Sequence, residues 1–151
     1  MWWFDLCGDA EMSWMGVVVN LVLVVAAVLS GSDGYAFINV PSIIVTYVMG
    51  HLVLWSVFGA DAFHVLKADF AENQPERGAR IAAAAGRFYI LAGWVGVLIG
   101  AIQMGHGLTD MASFGPATGV LLLTVFYAYA THLLIWAPLE THMLEKVAAK
   151  G

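Results

Sequence analysis

Two histidines, two threonines and a tyrosine stand in sequence that is otherwise almost wholly apolar: His51 in one run, and Thr124, Tyr127, Thr131 and His132 in another. Imidazole, with a reference pKa of about 6.5, is the side chain that gains or loses a proton near neutrality. A hydroxyl can donate and accept at once. These residues therefore offer proton movement, or ligation through imidazole, beside a strip of hydroxyls. Carboxylate is missing, because all 11 Asp and Glu fall in loops, in termini or at the ends of apolar runs. An intramembrane carboxylate is the usual proton carrier of pumps and channels, so a proton route here must borrow one or use His51 or His132.

Each of these groups has two readings. A histidine in an apolar run is either a neutral ring hydrogen-bonded inside a bundle or a direct participant in transport or ligation. As a pair, His51 and His132 raise a b-type haem held by imidazole from both faces. His51 lies ten residues from Pro41, about 15 Å deep, and His132 sixteen from Pro116, about 24 Å, at 1.5 Å per residue. That gap of about 9 Å places haem second. Thr124 and Thr131 are seven residues apart, an offset of about 20°, and share a helical face with Tyr127 near it. Either their hydroxyls bond their own backbone in ordinary packing, or they line a polar passage. Gly93, Gly96 and Gly100 recur at helical spacing on the preceding run and are assigned to close helix packing.

The elements that must position these groups are membrane helices. Hydrophobic residues make up 61% of the 151 and charged residues 11%, with a mean hydropathy of +0.82. A soluble domain of this length has no core large enough for that much apolar surface. The expected fold is an all-α integral membrane protein, one domain over 1–151. Four transmembrane helices are expected near 14–29, 41–60, 88–104 and 116–137, with a short cytoplasmic loop at 61–87 between helices two and three. Pro41 and Pro116 open the second and fourth runs, Pro138 closes the fourth, and 73–75 breaks the loop.

Charge sets the orientation. Lys67, Arg77, Arg80 and Arg87 lie between runs two and three and Lys146 and Lys150 after run four, while 30–40 and 105–115 hold no Lys or Arg. The positive-inside rule then puts both termini in the cytoplasm. Arg77, Arg80 and Arg87 share a broad helical face, suited to solvent, anionic headgroups or a cytoplasmic partner. Trp2, Trp3, Phe4 and Trp14 suit the bilayer interface. Cys7 reads as a free thiol, and the segment before the first run lacks the pattern of a secretory signal. A net charge of −5 gives no basis for nucleic-acid binding.

The second half carries a resemblance. Gly93-Trp94-Val95-Gly96, Gly100-Ala101-Ile102-Gln103-Met104, Gly115-Pro116-Ala117, Leu122-Leu123-Thr124 with Tyr127, and Pro138 are similar in order and spacing to the third and fourth helices of the MotA/TolQ/ExbB proton-channel family. Asn39-Val40-Pro41-Ser42 resembles the start of their second helix. The resemblance implies a subunit of the bacterial inner (cytoplasmic) membrane. It implies a homopentamer around two copies of a single-span MotB/TolR/ExbD-like partner that carries the essential aspartate, with Thr124 as a pore threonine. Ion flow would then drive rotation or force, and neither enzyme chemistry nor a cofactor is expected. The chain departs from the family in having Val97 after the second glycine, and a loop of 27 residues at 61–87 where flagellar stators hold a large rotor-binding domain. Two alternatives stand beside it: a b-type cytochrome or membrane-anchor subunit in electron transfer, and a structural membrane protein that does not conduct.

Overall fold

The computed structural model describes residues 14–30, 37–106 and 111–150, and every regular element among them is helical. Helix α1 is Trp14–Leu29, α2 is Val40–Phe58, and two short helices follow, α3 (Asp61–His64) and α4 (Ala68–Asn73). Helix α5 is Pro75–His106, and α6 runs through Met111–Thr131, His132–Trp136 and Ala137–Ala148. Three helices, α2, α5 and α6, are long and apolar enough to cross a membrane. Helix α1, at 16 residues, is shorter than the roughly 20 that a bilayer asks of a helix. The expected anchors Trp2, Trp3 and Phe4, and Cys7, lie outside the described residues, as does the side chain of Trp14.

Helix α2 starts where the sequence places its signals. Asn39 caps it, its side-chain oxygen accepting the Ser42 N–H at 3.1 Å, and Pro41 fills the first turn, where no donor is needed. Its buried residues then recur every four positions, at Ser42, Thr46, Gly50 and Leu54. In a straight α-helix each four-residue step drifts about 40°, so three steps would swing Leu54 about 120° off the face. A π-helical stretch, Ile44–Met49, widens the turn and keeps all four on one side.

The segment 61–87 is helical on both sides of the break at 73–75, as its residues allow. Three expected helix bounds change. Helix α5 begins at Pro75 and not near 88, because its alanine-rich first turns pack, with Ile81, Ala82 and Ala85 fully buried. Helix α6 begins at Met111, before Pro116, and does not stop at Pro138. A second π-helical stretch, His132–Trp136, immediately precedes that proline. Its wider hydrogen-bond pattern relieves the clash and the missing donor that normally end a helix at proline, so α6 continues to Ala148.

Helix α5 is the central member, and Leu54, Val65, Ile81, Tyr89, Trp136 and Met143 form the buried cluster against it. The chain turns after α2 at Gly59, whose φ of 61° suits glycine. Arg77 pairs with Asp61, holding α3 to α5. Lys146 approaches Glu72 at 3.9 Å and Lys150 donates to the Glu72 carbonyl, holding α4 to the end of α6. Arg77, Lys146 and Lys150 are thus held at the end of the bundle where α3 and α4 lie. Along the spans, the sides turned away from the core are apolar and exposed, as lipid-facing helices require.

Candidate functional site

The α5–α6 hairpin is closed by its glycines. A Cβ on Gly93 would lie 2.6 Å from Ala128 Cβ, one on Gly96 would fall within the Thr124 side chain, and one on Gly100 would lie 2.8 Å from Leu121 Cβ. Three successive turns of α5 therefore touch α6 almost backbone to backbone, the arrangement that small residues allow in hydrocarbon.

Thr124 is fully buried in this seam. Its hydroxyl donates to Val120 O at 2.8 Å and lies 3.1 Å from Leu121 O, while its own carbonyl accepts from Thr46 Oγ1 at 3.5 Å. Thr131, also buried, donates to the Tyr47 hydroxyl at 2.9 Å. The Tyr127 hydroxyl donates to Phe37 O and accepts the Asn39 N–H at 3.3 Å. The three residues expected to line a passage are thus taken up between α2, α5 and α6 of one chain. For Thr124 the geometry is that of packing: a β-branched hydroxyl in an apolar seam satisfies itself on the preceding turn when no other acceptor is near.

The two histidines sit closer in depth than counting from the prolines implies. Helices α2 and α6 run in the same direction with an offset of 78 residues, since Ser42 Oγ donates to Val120 O at 3.3 Å and Thr46 to Thr124 O. Pro41 is therefore level with Gly119, not with Pro116, and His51 is level with position 129. Only about 4.5 Å, three residues of rise, separates His51 from His132. Their surroundings differ. The His51 Nδ1 pairs with the Tyr89 hydroxyl. His132 packs its ring on Gly86, and its buried Nδ1 has no hydrogen-bond partner among the described residues, as is true of the indole nitrogen of Trp136 one turn on.

Tyr89 is the hub that sequence reading missed. Its ring lies 5.9 Å from Tyr47, 6.0 Å from His51 and 5.7 Å from Trp136, centroid to centroid, and it packs on Gly50. Tyr47, Ser42 and Thr46 were missed as well. A signal for two of them was present: Ser42 and Thr46 stand with Gly50 at four-residue spacing along α2. Asn20, polar in mid-α1, donates to Gly16 O at 2.9 Å and lines a shallow groove with Leu133, Pro138 and Thr141.

No protein-family model, no curated protein and no solved structure matches this chain.

Proposed function

We propose that the chain is a compact, stator-like channel subunit of the bacterial inner membrane, with four spans and both termini in the cytoplasm. Its copies, five by the resemblance, surround the single-span helices of a partner that supplies an aspartate. Protons driven by the membrane potential and pH gradient pass where copies and partner meet, and the coupled movement delivers rotation or force across the envelope. The observation that carries this reading is the stiff α5–α6 wall. Gly93, Gly96 and Gly100 lock its helices together, while Leu91, Trp94, Leu98 and Ile102 on one and Leu122 and Tyr129 on the other stay exposed for neighbours. Among the described residues no carboxylate lies on it between Arg87 and Pro138. In this reading Thr124 braces the wall and Thr131 and Tyr127 tie it to α2.

Reconstitution in liposomes tests the proposal. Alone the chain should pass protons at background rate, and flux should appear when a single-span partner with a mid-membrane aspartate is added. Robust flux from the chain alone would move the proton site to His51 or His132, and a stable monomer by native mass spectrometry would end the stator reading. A second reading, a non-conducting structural membrane protein, is favoured by one observation: the hydroxyls of Thr124, Thr131 and Tyr127 are all engaged within the chain. Absence of flux with every such partner, in a stable oligomer, would select it.

A further inference from the structure

We propose that the lipid-facing groove over His51 binds the ring of a membrane-soluble quinone. The groove is lined by Tyr47, Val48, His51, Leu52, Phe63 and Tyr89. The turn at Gly59 brings Phe63 of α3 back onto His51, their rings 5.5 Å apart and inclined at 43°. Tyr89 stands edge-on to the same imidazole at 85°, and Tyr47 to Tyr89 at 73°. Aromatic faces and edges on several sides suit a flat ring.

The hydrogen bonding of His51 specifies what that ring must carry. Its Nδ1 pairs with the Tyr89 hydroxyl, and it makes no other hydrogen bond among the described residues. A phenol is a better donor than acceptor, so Tyr89 donates, Nδ1 accepts, and the proton of the neutral imidazole sits on Nε2. An Nε2–H left without an acceptor in hydrocarbon costs about 1–3 kcal/mol. His51 lies seven residues before the end of α2 at Phe58, about 10 Å inside. Phospholipid ester carbonyls stay at the bilayer surface, and the nearest carboxylate in sequence, Asp61, is held by Arg77. The acceptor must therefore sit on an apolar body that dissolves in the bilayer core. A quinone meets each requirement: a flat ring against Phe63 and Tyr89, a carbonyl on Nε2, and an isoprenoid tail along Val48 and Leu52. Only binding is assigned, and it stands whichever way the stator reading falls.

The test uses the full chain in nanodiscs of quinone-free phospholipid, titrated with decylubiquinone. Tryptophan quenching should saturate, since Trp136 lies against Tyr89, and the carbonyl stretch of carbonyl-labelled probe should shift down as it accepts a hydrogen bond. His51→Phe should weaken binding by about five- to tenfold, the equivalent of one hydrogen bond, and His51→Gln, which keeps a donor, should recover most of it. Should His51→Phe not fold, Leu52→Trp, which fills the groove from the lipid side, must abolish saturation. Quenching that only tracks partition into the bilayer, affinity unchanged in His51→Phe, or a photo-crosslink from position 51 to phospholipid or to a protein partner would overturn the proposal.

Discussion

One methyl group added at Gly96 should loosen the α5–α6 hairpin, and removing the side chain of Thr124 should restore much of what is lost. A Cβ at Gly96 would lie 2.6 Å from Thr124 Cβ and 2.7 Å from its Oγ1, where carbon atoms in contact keep about 3.5–4.0 Å. The helices must therefore part by roughly 1 Å, and overpacking of this kind costs about 1–3 kcal/mol. Thr124→Gly removes the three atoms nearest to the new methyl, and alone it costs about 2 kcal/mol through lost packing and added backbone freedom. The double variant should then cost less than the sum of the two singles by about 1–2 kcal/mol. Gly100→Ala is the control, because its methyl would meet backbone, Leu121 N at 2.9 Å and Ala117 O at 3.0 Å, which no truncation removes. Reversible unfolding by dodecyl sulfate in mixed micelles, followed by circular dichroism, measures all of these differences. Costs at 96 and 124 that add within about 0.5 kcal/mol would refute the reasoning, since residues in direct contact do not add.

Three further outcomes follow from the same structure. With Cys7 changed to serine, cysteines at Ser32 and Ser113 should react with an impermeant maleimide on intact cells and one at Asn73 should not, whereas the reverse pattern would invert the orientation. Tyr47→Phe and Thr131→Val should each cost about 1 kcal/mol, and together little more than either, because both delete one hydrogen bond; full additivity would deny that bond. Asp61→Asn should lower stability by no more than about 1 kcal/mol, less still in high salt, because the Arg77 partner is half exposed. A larger loss would give Asp61 a role beyond this pair.

The helical class and the apolar spans were legible because hydropathy is local, a property of consecutive residues. The start of α2 at Pro41 and the break at 73–75 were legible for the same reason, as Pro acts on its own turn. Gly93, Gly96 and Gly100 announced a close helix contact by spacing alone, and their partners on α6 carry it. Register between helices was not legible. Counting depth from Pro41 and Pro116 assumed that both prolines stand at one height, and only the Ser42 and Thr46 bonds reveal the offset. Thr124 could be placed on a face of α6, but nothing local says whether that face meets a neighbouring helix or open space. Tyr89 escaped notice because one aromatic residue in an apolar run reads as filler until Tyr47, His51 and Trp136 arrive from two other helices.

The paired π-helical stretches bear on how this chain can change length over time. Losing one residue from a membrane helix normally turns everything beyond it by about 100° and scrambles the packing. Each wide turn here holds surplus length, so a deletion inside it can be absorbed by tightening to an ordinary α turn while the flanking faces stay in place. Loss of the exposed Val48 from α2 should be survivable, whereas loss of Leu133 would tighten the turn that accommodates Pro138 and loss of Leu98 from α5 would carry Gly100 off its seat against Leu121. Codon deletions in this gene should therefore be tolerated in one short window of α2 and purged from α5 and from the turn of α6 that carries the chain past Pro138.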